Sequence, residues 1–229
     1  MNSLEFRDRL ARRARRAKAP LTLAMLEPLE AYFRVLALWN TKINLTALPL
    51  DAPTDETFDR LLVEPLAAAP HLVRDQSAVR PRSDPIFWLD FGSGGGSPAI
   101  PLLIAQPTLK LTMIESKTRK AAFLREAIRV VGLSGGSVVN ERFEDLTETA
   151  VYANAADFVT VRALKVDGAL FEAAGQLLKD TGRLLLFRPG HDPSPNPPGF
   201  VRVSTVQLMD VPPAFLCKYK RVFHVEQRR

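Results

Sequence analysis

Apolar positions follow a helical period in the first part of the chain. Six apolar side chains between residues 21 and 40 recur at intervals of three or four residues: Leu23, Leu26, Leu29, Phe33, Leu36 and Trp39. This spacing predicts one face of an amphipathic helix. A second helix is predicted over residues 55–72, with an interruption near Pro65, because proline breaks the helical hydrogen-bond pattern. We therefore expect residues 1–80 to form a helical N-terminal extension.

Short apolar runs alternate with helical patterns in the rest of the chain. The runs that predict strands are 86–91, 110–115, 137–140, 157–162 and 183–188. The helical patterns between them cover 97–106, 118–132 and 166–179. This alternation favours an α/β fold with a parallel sheet covered on both faces. Two further strands, 200–210 and 218–226, suggest an antiparallel edge. We expect one Rossmann-like domain over residues 85–229, joined to the helical extension by a connection at 74–85.

A glycine-rich turn follows the first predicted strand, in the segment D-F-G-S-G-G-G-S-P at 90–98. Glycines permit a tight turn and let backbone N–H groups approach a ligand closely. A dinucleotide fingerprint that starts at Gly92 needs glycine or alanine at the position of Ser97. An acidic residue followed by G-x-G-x-G, as provided by Asp90, Gly92, Gly94 and Gly96, is the better match and is typical of a nucleoside-binding methyltransferase turn.

Glu115 ends the second predicted strand, 23 residues after Gly92. An acidic side chain at this place can accept hydrogen bonds from both hydroxyls of a ribose. Both NAD and S-adenosylmethionine present such a ribose, so Glu115 indicates a nucleoside without choosing between them. The glycine turn favours S-adenosylmethionine as the cofactor, and an NAD-dependent oxidoreductase is the enzymatic alternative.

The net charge of +6 is concentrated at the two ends of the chain. The basic residues near the start are Arg7, Arg9, Arg12, Arg13, Arg15, Arg16 and Lys18. Those near the finish are Lys218, Lys220, Arg221, Arg228 and Arg229. Such clusters bind polyanions by releasing their counterions, which favours a nucleic-acid partner. A solvated helix face with a frayed tail is the alternative interpretation.

The apolar runs are too short for a membrane span of about 18 residues or more, and the N-terminus lacks the apolar run of a secretory signal. We therefore expect a cytoplasmic protein that does not bind membranes. One cysteine, Cys217, leaves no partner for an internal disulfide. No exposed heptad pattern is evident, so we expect a monomer.

Five segments match the sequence pattern of one protein family and follow one another in the same order as in that family. They are WNTKINLTAL at 39–48, DFGSGGGSPAIPL at 90–102, ESKTRKAAFL at 115–124, ERFEDL at 141–146 and VRALK at 161–165. Together they resemble the bacterial 16S ribosomal RNA guanine-N7 methyltransferases of the RsmG type, also called glucose-inhibited division protein B. The resemblance runs from about Leu21 to Arg188. It implies a Rossmann-like fold that uses S-adenosylmethionine to methylate N7 of a guanine in the RNA of the small ribosomal subunit.

The resemblance also implies roles for particular residues. It places Gly92 and Ser97 against the cofactor, and Phe143 with Glu144 at the adenine. Arg162 is the candidate catalytic residue, either paired with the carboxylate of the donor or holding guanine O6 or a phosphate. The candidate cofactor residues are Asp90, Gly92, Ser93, Gly94, Ser97, Glu115, Phe143, Glu144 and Arg162. The candidates for RNA contact are Asn44, Arg12, Arg13, Arg16, Lys117 and Lys120.

The chain departs from the family pattern at a few positions. Leu61, Glu64 and Pro65 stand where the family usually has a histidine followed by Asp-Ser, and Ser97 and Ala99 replace an apolar or aromatic residue and a glycine. These departures leave open a divergent RNA-binding paralogue with an altered substrate or without activity.

The chemistry expected of such a site needs positioning more than acid or base groups. Guanine N7 carries a free lone pair, so attack on the methyl carbon removes no proton and depends on orientation and excluded water. No metal is expected. The three histidines, His71, His191 and His224, are predicted to lie outside the site.

Overall fold

The N-terminal part is helical in the computed structural model, which describes residues 1–73, 85–190 and 196–222. Its α-helices are α1 (Ser3–Arg16), α2 (Leu23–Asn40), α3 (Asp55–Phe58), α4 (Glu64–Ala68) and α5 (Pro70–Val73). A π-helical turn, Asp59–Val63, joins α3 to α4. The helix predicted from the apolar spacing is confirmed as α2. The interruption predicted near Pro65 is found as this π-helical turn, which ends two residues before the proline.

In the part of the chain that the structure describes, seven strands form one sheet in the order β3-β2-β1-β4-β5-β7-β6. The strands are β1 (Phe87–Phe91), β2 (Lys110–Ile114), β3 (Gly136–Val139), β4 (Ala156–Arg162), β5 (Leu178–Arg188), β6 (Phe200–Met209) and β7 (Ala214–Arg221). The first five pair in parallel, and β7 is antiparallel to both of its neighbours. The sheet is the predicted Rossmann-like α/β arrangement, with an antiparallel pair at one end.

Three helices accompany the sheet: α6 (Ala99–Ala105), α7 (Thr118–Val131) and α8 (Gly168–Leu177). A 3-10 turn, Asp145–Glu148, precedes β4. The strand order reverses at β1, which lies between β2 and β4. In open α/β sheets a ligand crevice forms at such a reversal, outside the carboxyl ends of the strands.

Two strands begin four or more residues earlier than the apolar runs predicted. Strand β5 starts at Leu178, because this buried side chain pairs with Ala156 before the polar residues that precede Arg183. Strand β7 starts at Ala214, four residues before the predicted start, and it runs between β5 and β6. The antiparallel edge is therefore β6, and the predicted segment 223–226 lies outside the described residues.

One hydrophobic core joins the N-terminal helices to one face of the sheet. Leu29 and Leu36 of α2 are buried in the same cluster as Ile100 of α6 and Phe123 of α7. Phe6, Phe33 and Phe58 form an aromatic contact set in that cluster, with ring centroids 5.2–5.8 Å apart. The predicted boundary between residues 80 and 85 falls largely outside the described residues, and the two predicted parts share this core. None of the described helices has the length and apolar character that a membrane span needs.

Arg13 has a structural role that its sequence context did not indicate. Only 8% of the residue is exposed. Its Nε donates to Asp59 Oδ1 at 2.9 Å, its Nη2 also contacts Asp59, and its Nη1 donates to Asp55 Oδ2 at 3.1 Å. The prediction that Arg13 contacts RNA is wrong, because the guanidinium is enclosed between α1 and the segment after Thr54. Removing one partner of a buried ion pair costs about 3–5 kcal/mol.

Candidate active site

A cleft with a volume of about 550 Å³ opens at the carboxyl ends of β1, β2 and β4. Residues from the sheet side line most of it: Gly92, Ser93, Gly94, Ser97, Glu115, Lys117, Lys120, Phe143, Glu144 and Arg162. All of these were predicted for the cofactor or the RNA from the sequence. The N-terminal part completes the wall with Leu36, Leu45, Thr46 and Leu61.

The glycine turn after β1 is held from two sides. Gly92 and Gly94 have φ values of +66° and +49°, in the left-handed region that favours glycine. A Cβ on Gly92 would lie 2.7 Å from Leu164 Cδ2, so the turn after β4 also excludes a side chain there. On the helical side, the hydroxyl of Tyr32 donates to the Gly95 carbonyl at 2.6 Å. The path of the turn is therefore set by both the sheet and α2.

Asp90 supports the turn from below and does not line the cleft. Its carboxylate accepts hydrogen bonds from Ser93 Oγ at 2.6 Å and from Thr160 Oγ1 at 2.5 Å. Trp88 Nε1 donates in turn to Thr160 Oγ1 at 2.7 Å. Burial raises the pKa of Asp90 to about 6, against the lowering effect of the two hydroxyl donors. The predicted cofactor role of Asp90 becomes one of shaping the loop that faces the ligand.

Asp90→Asn is expected to flatten the dependence of stability on pH between about pH 4 and pH 6. The native carboxyl, with a pKa of about 6, keeps its proton where the unfolded chain, with the ordinary value of 3.8, has lost it. This group therefore lowers the free energy of unfolding as pH rises through that interval, by about 3 kcal/mol.

Asparagine can replace the carboxyl because its amide can donate to Ser93 Oγ, whose own hydroxyl lies 3.0 Å from the backbone oxygen of residue 90. Urea titrations of both proteins from pH 4 to pH 7 measure the difference. Parallel pH profiles for the two proteins would contradict a buried, protonated Asp90.

Glu115 is fixed by backbone donors and keeps capacity for a ligand. Its Oε2 accepts from the Gly94 N–H at 2.9 Å, and its Oε1 accepts from the Lys117 N–H at 2.8 Å. Its own carbonyl accepts from Asn140 Nδ2 at 2.8 Å. An ionised carboxylate has about four acceptor positions, so each oxygen can accept one more hydrogen bond. Two free acceptor positions at this place suit the two hydroxyls of a ribose.

Phe143 provides an aromatic plane beside Glu115. Its ring stacks on Phe91 with centroids 4.8 Å apart and an interplanar angle of 9°. Phe143 is half-buried and lines the cleft, as does Glu144, which pairs with Arg142 at 3.0 Å. An aromatic side chain, a ribose acceptor and a glycine turn in one cleft fit the adenosine part of S-adenosylmethionine.

Arg162 is a half-buried cation at the other side of the glycine turn. Its Nη1 donates to the Arg60 carbonyl at 2.7 Å. Burial lowers the pKa of Arg162, and the nearby Glu64 carboxylate opposes this shift. Burial also raises the pKa of Glu64, which accepts from Arg60 Nη1 at 2.9 Å. The cleft therefore contains a guanidinium whose orientation depends on the segment from Arg60 to Glu64.

Sequence reasoning missed the side chains that hold the helical wall of the cleft. Asn40 Oδ1 accepts from the N–H groups of Leu45 and Thr46, at 2.9 and 3.0 Å, and its Nδ2 donates to the Thr46 carbonyl at 3.2 Å. A Cβ on Gly95 would lie 3.2 Å from the Leu45 carbonyl oxygen, so this segment packs against the glycine turn. The signal in the sequence was the tryptophan–asparagine pair at 39–40. The spacing of residues alone did not reveal the function of this pair.

The other predicted RNA contacts lie outside the cleft. Arg12 and Arg16 are exposed on α1, and Asn44 is exposed next to the segment that Asn40 holds. His71 is half-buried in α5. His191 and His224 lie outside the described residues, as do Arg228 and Arg229.

Most of the chain matches a family of known proteins. Residues 25–194 match the family described as GidB: rRNA small subunit methyltransferase G. Ribosomal RNA small subunit methyltransferase G of Xanthomonas campestris pv. campestris (strain B100) is 35% identical over 188 residues, which cover 81% of this chain and 80% of that protein. The protein of the same name from Xylella fastidiosa (strain M23) is 35% identical over 195 residues, covering 84% and 83%.

Solved structures share the architecture at low sequence identity. The crystal structure of MtNAS in complex with MTA and tNA superposes with a TM-score of 0.54 at 13% identity, covering 97% of this chain and 90% of that one. A mutant of MtNAS in complex with S-adenosylmethionine gives a TM-score of 0.52 at 14% identity, covering 96% and 78%. At such identities the likeness shows the fold alone.

Proposed function

Since the chain belongs to the GidB family, rRNA small subunit methyltransferase G, we propose that it transfers a methyl group from S-adenosylmethionine to N7 of a guanine in 16S ribosomal RNA. The observation that carries the proposal is that one cleft contains both a nucleoside-binding half and a partly buried arginine. Glu115 and Phe143 form the first half, and Arg162 lies across the glycine turn from them.

The donor half binds the nucleoside through groups that are already in place. Glu115 accepts the two ribose hydroxyls, and Phe143 stacks on the adenine beside Glu144. The turn at Gly92 and Gly94 presents its backbone to the ligand, because no side chain stands between the backbone and the ligand. S-adenosylmethionine supplies a methyl group that its sulfonium has already activated. Because these groups are held by the backbone and by ring stacking, little reorganisation accompanies binding.

The acceptor half positions the base. Arg162 donates to guanine O6 through the part of its planar fork that Arg60 does not use, which leaves the lone pair of N7 free for attack. The apolar side chains of Leu45 and Leu61 exclude water from the same wall, and the reaction needs no general base there. Lys117 and Lys120, at the rim near the start of α7, contact phosphates of the RNA.

The exposed arginines of α1 extend the RNA surface beyond the cleft. Arg12, Arg15 and Arg16 are exposed, in contrast to the buried Arg13. A basic helix face of this kind increases affinity for RNA through counterion release, without reading its sequence. We place the protein in the cytoplasm, as a monomer that acts on the small ribosomal subunit or its RNA.

Reversing the charge of Arg12, Arg15 and Arg16 to glutamate is expected to weaken RNA binding and to reduce its salt dependence. Each lost phosphate contact reduces the magnitude of the slope of log K against log salt by about 0.7–0.9, so the loss of three contacts reduces this magnitude by about two. Fluorescence titrations of a 16S RNA fragment at several salt concentrations measure the slope. The control is the double variant Lys110→Glu, Arg129→Glu. It reverses two exposed charges away from α1, one at the start of β2 and one near the end of α7. An unchanged slope in the triple variant would show that the α1 face is only solvated.

The direct test is transfer of a labelled methyl group to small ribosomal subunits from a strain that lacks this protein, with the modified base mapped. Label at a guanine N7 is the expected result. Label at another atom or another base would contradict the proposed acceptor. Binding of S-adenosylhomocysteine without transfer would indicate the inactive RNA-binding paralogue, and reduction of NAD without such binding would indicate the oxidoreductase.

A further inference from the structure

The π-helical turn Asp59–Val63 lies directly behind the acceptor half of the cleft. Its end is marked by the Glu64 N–H, which donates to the Asp59 carbonyl five residues back instead of to the Arg60 carbonyl. The next N–H in the series would belong to Pro65, which has none. In the π pattern that N–H would have reached the Arg60 carbonyl, and in the α pattern it would have reached the Leu61 carbonyl.

Both of these carbonyls accept hydrogen bonds from side chains of the cleft. Arg162 Nη1 donates to the Arg60 carbonyl at 2.7 Å, and Ser97 Oγ donates to the Leu61 carbonyl at 2.8 Å. Arg162 is the last residue of β4 and Ser97 lies at the end of the glycine turn after β1, so a strand end and the glycine turn are both fastened to one helical turn. Each of these two carbonyls thus accepts a hydrogen bond from a cleft side chain, at a place in the helix where residue 65 has no N–H to offer.

We propose that Pro65 is a positioning residue for methyl transfer: by withholding one backbone N–H, it leaves the carbonyls of Arg60 and Leu61 to orient Arg162 and Ser97. The inference rests on the proposed function, in which Arg162 holds the acceptor guanine. A π-helical turn inside a helix is rare and is frequently found at functional sites.

The turn is held firmly enough to serve as an anchor. Leu61, Leu62 and Val63 are buried in the core, with 0–3% of each residue exposed. The side chain of Arg60 pairs with the buried Glu64 at 2.9 Å, and Asp59 pairs with Arg13 of α1. The position of the two carbonyls is therefore fixed from α1, from the core and from within the turn. Arg162 gains an orientation that its own strand end does not supply.

Pro65→Ala tests the proposal because it supplies an N–H that can donate to the carbonyl of Arg60 or of Leu61, which draws that carbonyl into the helix and shifts the side chain that it holds. We expect kcat for RNA methylation to fall about 10-fold to 100-fold, as a displacement of about 1 Å at a reacting group does. The dissociation constant of S-adenosylhomocysteine should stay within twofold. The melting temperature should fall only by the amount that follows from losing the contacts of the proline ring. Unchanged kcat in a folded Pro65→Ala protein would overturn the proposal.

Pro28→Ala is the matched control. It also adds an N–H to a helix, in the middle of α2 and outside the cleft, and is expected to leave kcat unchanged. If Pro65→Ala does not fold, Ser97→Ala addresses the same anchor from the other side, since it removes the donor to the Leu61 carbonyl. It should lower kcat with little change in donor affinity, and full activity in that variant would equally overturn the role of the turn.

A double-mutant cycle separates positioning from general damage. If Pro65 acts through Arg162, then Pro65→Ala reduces kcat much less in an Arg162→Lys background than in the wild type, whereas additive losses would overturn the proposal. The failure of the proposed function is distinguishable, because the wild-type protein would then show no methyl transfer at all. In that event nitrogen-15 NMR still decides the role of the turn. A slowly exchanging guanidinium signal of Arg162 in the wild type should be lost in Pro65→Ala, and its retention would refute the inference.

Discussion

Arg162→Ala is expected to lower kcat for methylation of 16S ribosomal RNA by about 10²–10³-fold, the usual effect of removing one preorganised donor from an active site. The guanidinium lies in the cleft, is half-buried and is already tied to the Arg60 carbonyl at 2.7 Å. A donor held this way has little freedom to lose when guanine binds, so its removal acts on the reaction step. The loss should be in kcat, with the affinity for S-adenosylhomocysteine changed by less than about threefold.

The readouts of this experiment separate the two roles open to Arg162. A tenfold or larger loss of donor affinity would assign the arginine to the carboxylate of the donor and would contradict its contact with guanine. Arg125→Ala is a suitable control, because Arg125 also donates to a backbone carbonyl, that of Val138 at 3.5 Å, but lies on the surface. It should retain full activity. Single-turnover assays and calorimetric titrations provide the two quantities.

Gly92→Val is expected to abolish binding of S-adenosylmethionine. The φ of +66° is a conformation that a β-branched residue rarely adopts, at a cost of about 1–2 kcal/mol from the backbone alone. Its Cβ would also meet the side chain of Leu164 at 2.7 Å, so that side chain, which lines the same cleft, must shift. Calorimetry with S-adenosylhomocysteine measures the loss, and circular dichroism shows whether the fold survives. Unchanged donor affinity in a folded variant would contradict the assignment of the turn.

A smaller change at the next glycine tests the same assignment without a clash. A Cβ on Gly94 would find only the Gly92 carbonyl oxygen, at 3.7 Å, yet Gly94 lines the cleft. Gly94→Ala should therefore reduce donor affinity about tenfold or more by narrowing the approach of the ligand to the backbone. Gly199→Ala is the matched control, since Gly199 has a φ of +74° and no neighbour within 4 Å. Both variants are destabilised by a positive φ at a residue other than glycine, and only Gly94→Ala should lose affinity for the donor.

The donor half of the cleft was predictable because its signals are local. The turn from Gly92 to Gly94 follows its strand directly, and Glu115, the acidic residue proposed to bind a ribose, directly follows the next strand. Parallel strands bring their carboxyl ends to one edge of the sheet, so these positions meet in any sheet with this order. The family resemblance added Phe143 and Arg162, which no period or spacing identifies.

The contacts that decide the acceptor half were not predictable from local patterns. Arg162 and the carbonyl of Arg60 are 102 residues apart in the chain, and Ser97 and the carbonyl of Leu61 are 36 apart. Arg13 shows the same limit, because its place in a basic run suggested RNA whereas its partner Asp59 lies 46 residues away. A run of like charges says nothing about which members are turned inward, since that depends on how the helix packs.

The hydroxyl of Tyr32 and the amide of Asn40 have a consequence for dissecting the protein. The first fastens the glycine turn through the Gly95 carbonyl, and the second shapes the segment that packs on it. Both belong to α2, far ahead of the sheet in the chain. A fragment that begins at residue 85 would contain the residues proposed to contact ribose and adenine, but it would lack the hydrogen bonds from α2 that hold the glycine turn. The donor pocket therefore does not depend on the sheet domain alone, and a shortened protein that is meant to bind the donor has to include α2.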